Sequence, residues 1–273
     1  RIAARVAYSG TDFAGYQVQP TCRTVQGELE RALATRFPHE GSIRTVGASR
    51  TDIGVHARGQ ALHFDLADDG LDEQFFDKLE YQWNALLPQD ITVYNVREAP
   101  SPTAEEVKHG YLWHANRVTR GKVYVYRLGI GKTLSPLLAR HVAYFPPSLF
   151  KLDQQKFQEA LKLFEGEHDF RAFVCQSKSM DWDEISTVRT IRSITVAEED
   201  DESVEVTLDG ALYKQVRMII GAAVTVGCGL ASLSAITSAL LEGRKGKELD
   251  KHLKPAPAHG LCLETVLYDE PGF

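Results

Sequence analysis

Residues 47–56 read GASRTDIGVH and lie between two segments, 43–46 and 60–66, in which apolar and polar residues alternate. Alternation with a period of two is typical of half-buried strands, so the stretch is predicted to connect a β-hairpin. Four of its side chains are capable of chemistry or binding: Arg50, Thr51, Asp52 and His56. A connection longer than a tight turn with this content indicates a candidate site. By residue type alone, Asp52 as a simple turn former remains an open interpretation.

The rest of the first hundred residues alternates strands and helices around this hairpin. A strand is predicted over 2–8, followed by a helix that begins after Thr24 as N-cap. After the hairpin, apolar residues at helical spacing over 75–86 predict a second helix that ends before Pro88, and 91–97 predicts a strand. The order strand, helix, strand, strand, helix, strand matches the split βαβ, ferredoxin-like arrangement.

A change of composition at residues 99–106, APSPTAEE, is the best candidate for a linker. It divides the chain into two predicted domains, 1–106 and 107–273. In the second half we predict a strand at KVYVYRLGI (122–130), a helix after Asp153, strands near 187–197 and 203–208 around an acidic hairpin tip EEDDE (198–202), a helix within 211–227, a helix at SLSAITSALLEG (232–243) and a closing strand at LCLETVLY (261–268).

The composition is that of a globular protein. Of the 273 residues 43% are hydrophobic and 25% charged, which by length fits one large domain or two smaller ones. The most apolar segment, 216–230, contains Arg217 and three glycines, so no membrane span is predicted and the protein is expected to be soluble. The four cysteines show no CxxC spacing and the nine histidines no HExxH, so we expect a reducing compartment and no metal.

The charge is unevenly distributed along the chain. The net charge is −6, yet no acidic residue occurs between Glu106 and Asp153. The basic residues of this block are Lys108, Arg117, Arg120, Lys122, Arg127, Lys132, Arg140 and Lys151. Such a block predicts a local positive surface that can hold phosphates, although scattered surface cations remain an alternative.

Two features of the second half depend on tertiary contacts. Arg217 lies in an apolar helix, and a buried guanidinium needs a counter-charge, for which Asp52 is attractive if the two halves pack together. A side chain that snorkels to water is the alternative. Tyr124 and Tyr126 share one face of their strand, which by itself favours core or cross-strand packing.

Motifs throughout the chain resemble one known family. They are YSGTDFAGYQVQ (8–19), RTVQGELERAL (23–33), SRTDIGVHARGQALHF (49–64), NALLP (84–88), KVYVYRL (122–128), GEHDFRAF (166–173), TVRTI (187–191), YKQVRMIIG (213–221) and PAPAHGLCLETVLY (255–268). In this order they resemble the TruA family of tRNA pseudouridine synthases, whose aspartate lies in an RTDxGVH context. The resemblance covers almost the whole chain.

The resemblance implies an α+β pseudouridine synthase fold, in which two ferredoxin-like (RRM-like) α/β subdomains form one extended, largely antiparallel sheet with a central RNA-binding cleft. It implies that Asp52 is the nucleophile, that Tyr124 stacks on the target base and handles the C5 proton, and that Arg217 forms a salt bridge with Asp52. Arg50 matches the arginine implied in uridine flipping. Further RNA contacts are expected from Thr51, His56, Arg117, Arg120 and Lys122.

The expected substrate is tRNA, modified in the anticodon stem-loop at positions 38–40, by attack at either C6 of uracil or C1′ of ribose. No cofactor is expected, because the isomerisation involves no redox step. A homodimer is expected by analogy with bacterial enzymes, and a cytoplasmic location is expected unless a targeting segment directs the chain to an organelle or the nucleus. The rival hypotheses are a catalytically silent RNA-binding module and an aspartate-nucleophile hydrolase.

The chain departs from the family pattern in one segment. Many relatives have FHARFSA before the tyrosine strand, whereas this chain has WHANRVT at 113–119, so Asn116 replaces an arginine and Arg117 lies beside it. The linker around 99–112 is also longer than in the bacterial members. Both departures concern details of RNA contact.

Overall fold

The computed structural model describes residues 1–67, 72–102, 107–108, 110, 112–130, 134–145, 151–175, 186–197 and 203–269. Its contacts divide the chain into two compact units. The first comprises Arg1–Arg120 with Cys262–Phe273, and the second comprises Gly121–Leu261. No helix formed by the described residues is long and apolar enough to cross a membrane.

The first unit follows the predicted order of elements. These are β1 (Ile2–Tyr8), α1 (Val25–Arg36), β2 (Val46–Gly47), β3 (His56–Phe64), α2 (Glu73–Leu86) and β4 (Ile91–Glu98). β1 is antiparallel to β3 and to β4, and β2 is antiparallel to β3. Because β3 lies between β1 and β2, the elements form the split βαβ arrangement predicted from the sequence.

Local side chains define where the two helices begin. The Thr24 hydroxyl accepts a hydrogen bond from the Gly27 amide at 3.2 Å, and the Asp72 carboxylate accepts one from the Phe75 amide at 2.8 Å. Each satisfies an amide that has no partner within its helix. The predicted N-cap at Thr24 is therefore confirmed.

α2 contributes the largest side chain of the first core. Trp83 is fully buried, with its ring 5.4 Å from that of Phe64 on β3. Its Nε1 donates to the carbonyl oxygen of Leu29 on α1 at 3.3 Å. Trp83 therefore joins both helices to the sheet.

The second unit contains β5 (Gly121–Ile130), β6 (Ala143–Phe145), α3 (Gln154–Lys162), β7 (Gly166–Asp169), β8 (Val188–Ala197), β9 (Ser203–Leu208), α4 (Gln215–Gly227), α5 (Leu233–Glu242) and α6 (Lys247–His252). β5, β9, β8 and β7 are consecutive antiparallel neighbours, and β6 is parallel to β5. Both units are thus mixed α+β with mostly antiparallel strands, as predicted.

The last strand, β10 (Leu261–Leu267), accounts for the division of the chain. It pairs in parallel with β3, and Cys262 lies opposite His56. A Cβ built at Gly59 on β3 would be 2.6 Å from the carbonyl oxygen of Glu264, so the two backbones approach closely. The contacts therefore place the change of unit at residue 120 and return the chain end to the first unit, whereas the predicted division was 1–106 and 107–273.

Some predicted segments cannot be compared with the structure. Residues 103–106 of the predicted linker and the acidic run 198–202, predicted as a hairpin tip, lie outside the described residues. β6, β7 and α6 have no counterpart among the sequence predictions, since segments of three, four and six residues carry little periodicity.

Candidate active site

The loop of residues 48–55 joins β2 to β3 and carries Asp52. Its start is attached to β3 twice. The Ala48 amide donates to the Ala61 carbonyl at 2.8 Å, and the side-chain amide of Gln60 donates to the Ser49 carbonyl at 2.7 Å. The start of the loop therefore shares the rigidity of the strand.

Asp52 opens a turn at the tip of this loop. The Val55 amide donates to the Asp52 carbonyl at 3.1 Å, and Gly54 has φ +78°, a conformation that favours glycine. Asp52 is half-buried, Arg50 is exposed, and the Ile53 side chain is 66% exposed. A carboxylate at this position is accessible to a substrate while its backbone is held on both sides.

Thr51 attaches the loop to the first strand. Its buried hydroxyl lies 2.7 Å from the Tyr8 hydroxyl, and its carbonyl accepts from the Tyr16 amide at 3.1 Å. Gly15, at φ +99°, comes so close that a Cβ would be 3.0 Å from the Thr51 carbonyl oxygen. Thr51 therefore positions the neighbouring Asp52, and its RNA contact stays a prediction.

His56 is buried at the end of the same loop. Its Nδ1 accepts a hydrogen bond from the Gly10 amide at 3.0 Å, so this nitrogen carries no proton. A Cβ at Gly10 would lie 2.0 Å from the carbonyl oxygen of Val55, so no side chain fits there. The contact with Gly10 occupies Nδ1, and the predicted RNA contact of His56 would have to use Nε2.

Tyr124 lies in the second unit on β5, opposite Val206 of β9. It is 5% exposed, and Tyr126 on the same strand face is fully buried. The two tyrosines therefore share a buried face, as the alternation of the strand predicts. Lys122 precedes them on this face and is 8% exposed.

Arg217 is the third residue of α4 and is held by an extended segment that follows α6. Its Nε donates to the Ala256 carbonyl at 2.7 Å, and the Ala256 amide donates to the Arg217 carbonyl at 2.9 Å. The Tyr126 hydroxyl donates to the next carbonyl, that of Pro257, at 3.0 Å. A Cβ at Gly221 would be 2.0 Å from the Lys254 carbonyl oxygen. The segment 254–257 therefore orients the Arg217 side chain.

The predicted site residues divide between the two units. Arg50, Thr51, Asp52, His56, Arg117 and Arg120 belong to the first unit, and Lys122, Tyr124 and Arg217 to the second. Within the first unit the loop brings the first four together. Arg217 is half-buried, and its ion pair with Asp52 stays a prediction.

Residues 107–152, the block without acidic residues, are partly neutralised by Asp269. Arg120 is exposed, and its Nη2 and Nε lie 2.5 and 2.7 Å from the Asp269 carboxylate. Asp269, which is distant in the sequence, thus supplies a negative charge beside Arg120. Arg117 is exposed.

Comparison with known proteins identifies the family. A family profile described as tRNA pseudouridine synthase matches residues 160–269. The chain is 37% identical to tRNA pseudouridine synthase A of Geobacillus sp. (strain WCH70) over 98% of each chain, and 38% identical to the enzyme of the same name from Anoxybacillus flavithermus over 98% of this chain and 99% of that one. The chain belongs to the TruA family of tRNA pseudouridine synthases. It is therefore an isomerase that acts on tRNA and has the pseudouridine synthase fold.

Other matches agree with this assignment or add nothing to it. The tRNA pseudouridine synthase A of Listeria innocua is 37% identical over 98% of this chain and 99% of its own. A solved Cbf5-Nop10-Gar1 complex covers 82% of this chain and 45% of that chain at 14% identity and a TM-score of 0.36, which is too low to carry an argument.

The TruA-family motif YSGTDFAGYQVQ contains residues whose function the sequence did not reveal. Tyr8 and Gly10 contact Thr51 and His56, as described above. The Tyr16 ring is fully enclosed and lies 2.6 Å from where a Cβ at Gly47 would be, and burial raises the pKa of its phenol. The motif therefore forms the support of the Asp52 loop, and the signal for this was only its co-occurrence with the aspartate motif.

The segment in which this chain departs from the family pattern is firmly attached to the first unit. The Ala115 amide donates to Nδ1 of His63 on β3 at 3.2 Å, and the Tyr268 hydroxyl donates to the Ala115 carbonyl at 2.5 Å. Arg1 donates to the Trp113 carbonyl at 2.6 Å. These contacts form a rigid base for the exposed residues that follow.

His63 is held in the neutral form by this packing. It is 3% exposed, and burial together with the positive charges of Arg1 and His114 lowers its pKa to about 3. Loss of water around the imidazole disfavours the charged form. No group of three or more His, Cys, Asp or Glu side chains within the described ranges is arranged to hold a metal ion.

Proposed function

We propose that this enzyme converts uridine to pseudouridine in the anticodon stem-loop of tRNA, at positions 38–40, with Asp52 as the nucleophile. The observation that carries the proposal is the half-exposed Asp52 on a loop whose backbone is held by Thr51 on one side and by the turn to Val55 on the other. A nucleophile must meet its target atom in a defined geometry. A loop held in this way presents the carboxylate in such a geometry without having to become ordered when the substrate binds.

The proposed reaction breaks one bond and forms another within the same nucleotide. An oxygen of the Asp52 carboxylate adds to C6 of uracil or to C1′ of ribose, and the bond between N1 and C1′ breaks. The base turns, C5 bonds to C1′, the C5 proton leaves, and Asp52 is released as N1 ends protonated. Electrons and atoms balance without an oxidant, a reductant or a cofactor.

Three further residues are assigned roles in this proposal. Tyr124 stacks on the target base and accepts or relays the C5 proton, which places a proton-transfer group at the reacting carbon. Arg217 is assigned a salt bridge with Asp52, which would orient the carboxylate. Arg50 occupies the space left by the flipped uridine, and a base in a stem must be extruded before reaction. Its exposed position beside Asp52 supports this role.

RNA contacts are proposed for Thr51, His56, Arg117, Arg120 and Lys122. The exposed guanidinium of Arg117 has the geometry for bidentate contact with a backbone phosphate. Arg120 must first exchange its Asp269 partner for phosphate, so we expect its contribution to be smaller. A cytoplasmic location and a homodimer complete the proposal by analogy with the bacterial relatives.

The test uses tRNA transcript labelled with tritium at C5 of uridine. Wild-type protein is expected to release tritium, and Asp52→Asn, which keeps the shape but not the nucleophile, should lower the rate on the order of 10³-fold or more. Asp77→Asn on the exposed face of α2 is the matched control and should retain the wild-type rate.

A second transcript with cytidine at positions 38–40 tests the target assignment. Tritium release from it should fall to background. Wild-type release at the same rate from both transcripts would contradict the proposed positions, and undiminished release by Asp52→Asn would contradict the nucleophile. Binding of tRNA without any release would favour the silent RNA-binding module.

A further inference from the structure

Lys122 is a nearly buried cation at the start of β5. Its side chain retains 8% exposure, which leaves a narrow route to solvent. Across the described part of the chain its ammonium has no hydrogen-bond acceptor and no carboxylate within ion-pair distance. Burial of a charged group without a partner is costly, so a native structure that keeps one marks a candidate binding site.

Strand register places a second cation on the same face of the sheet. Lys122 lies opposite Leu208 on β9, and Leu208 lies opposite Ile191 on β8. Residues directly opposite project to the same face, and so do residues two apart on one strand. Arg189, two residues before Ile191, therefore shares the face of Lys122.

The Arg189 guanidinium is only partly occupied by the protein. Its Nη1 donates to the carbonyls of Ser186 at 3.0 Å and Val188 at 2.6 Å, which leaves other donors of the guanidinium available. The nearest turn carries Asp209, whose two oxygens accept from the amides of Thr190 and Gly210. These contacts orient the carboxylate toward the backbone and not toward Lys122.

The two cations interact unfavourably as they stand. Burial and the charge of Arg189 lower the pKa of Lys122 to about 8. At neutral pH the ammonium form still predominates, so the protein holds two like charges close together. An anion bound to both would reverse this interaction and supply acceptors for the Lys122 ammonium and for the remaining donors of Arg189.

We propose that Lys122 and Arg189 form a binding site for a phosphate group. Arginine offers a planar fork of donors and lysine a compact charge, a combination suited to phosphate oxygens. The phosphate can come from free orthophosphate or from an RNA backbone, and the RNA source rests on the proposed function above.

Thermal unfolding with and without inorganic phosphate tests the site directly. At constant ionic strength set with chloride, phosphate should raise the Tm of wild type, because a ligand that binds the native state stabilises it. Lys122→Met should lose this shift and weaken phosphate binding about tenfold or more. Its Tm without phosphate should equal or exceed that of wild type, because a buried charge has been removed. Lys156→Met on α3 is the control for loss of a surface lysine.

Binding of tRNA at several chloride concentrations distinguishes the two sources. If the site holds a backbone phosphate, Lys122→Met should reduce the slope of log affinity against log salt by about 0.7 to 1, the value for one lost contact. Arg189→Gln should act in the same direction. A phosphate effect with an unchanged salt slope would identify free phosphate as the ligand.

The proposal is overturned if Lys122→Met retains both the phosphate-dependent Tm shift and the wild-type salt slope. Failure of wild type itself to bind tRNA would instead contradict the proposed function, and the inorganic phosphate measurement would still decide whether the site exists. The two failures are therefore distinguishable.

Discussion

Asp52 in the first unit and Arg217 in the second are each supported by a close contact between two backbone segments at a glycine. Beneath the Asp52 loop, a Cβ at Gly10 would lie 2.0 Å from the Val55 carbonyl oxygen. Beside Arg217, a Cβ at Gly221 would lie 2.0 Å from the Lys254 carbonyl oxygen. In both cases a glycine lets one backbone segment pack directly on another, and the functional side chain lies within a few residues of that contact.

The two supports differ in the groups that form them, although both join distant parts of the chain. Thr51 is 43 residues from Tyr8, and Arg217 is 39 residues from Ala256. Side-chain hydroxyls and a histidine complete the first support, and backbone carbonyls complete the second. Both sites therefore take their supports from distant segments, the loop mainly through side chains and the helix mainly through the backbone.

A methyl group added at either glycine should have the largest effect on these supports. Gly10→Ala and Gly221→Ala should each lower the free energy of unfolding by about 3 kcal/mol or more, because backbone must move to relieve the overlap. Denaturant titration measures this. Gly246→Ala, where nothing lies within 4 Å of the added Cβ, is the control and should change stability little. An unperturbed Gly221→Ala variant would refute the equivalence of the two supports.

Low pH should destabilise the first unit more than the second. The pKa of His63 is lowered from 6.5 in the unfolded chain to about 3 in the fold. The unfolded chain therefore binds the extra proton between these values, and stability is complete above about pH 6.5 and falls as the pH falls toward 3. Between pH 6.5 and 4.5 the loss should be about 2 kcal/mol. His114, whose pKa is also lowered, acts in the same direction.

Hydrogen exchange at pH 6.5 and 4.5 checks this prediction by unit. Amides of the first unit should lose protection first, because the pKa of His63 is lowered furthest. Partial burial and the charge of Arg127 also lower the pKa of His141 in the second unit, so a smaller response of the same sign is expected there. In His63→Asn, whose amide oxygen can replace Nδ1 as acceptor for Ala115, the pH dependence should flatten. An equal acid response in both units would show that His63 does not distinguish them.

Removal of the Thr51 hydroxyl tests the hydrogen bond that attaches the Asp52 loop to Tyr8 on β1. Thr51→Val keeps the shape of the side chain but removes its hydrogen bond with the buried Tyr8 hydroxyl, so we expect a loss of about 1.5 kcal/mol. In tritium-release kinetics kcat should fall more than KM rises, because the Thr51 hydroxyl contacts Tyr8 and its main effect is to position Asp52. Thr35→Val on the exposed face of α1 serves as control. A change confined to KM would indicate direct substrate contact by Thr51.

The corresponding change on the Arg217 side should have the smallest effect. Tyr126→Phe removes the donor to the Pro257 carbonyl, one of several contacts of the 254–257 segment, so we expect a loss of about 1 kcal/mol and a fall in kcat of a few-fold. Tyr81→Phe, at an exposed tyrosine, is the control. If Tyr126→Phe abolished activity, the tyrosine would act in the chemistry and not in the support.

Elements whose signals are local could be predicted well. The structure confirms the N-cap at Thr24, the strand β1, the alternation of β4, and the face shared by Tyr124 and Tyr126, which are all set by residues a few positions apart. β1 itself is buried on both faces. The unit boundary could not be predicted in this way. The composition break near 99–106 marks a change in local chemistry, but membership of a unit depends on the pairing of β10 with β3.

Motifs and periodicity, which are properties of neighbouring residues, are enough to identify the family, the order of the main strands and helices, and the loop that carries Asp52. The folded chain was needed to show other contacts: Tyr8 and Gly10 hold Thr51 and His56, Asp269 neutralises Arg120, Ala256 orients Arg217, and Lys122 is buried beside Arg189. The physical reason is that burial, close backbone approach and charge compensation are settled between segments distant in the chain, and no local pattern records which segments meet.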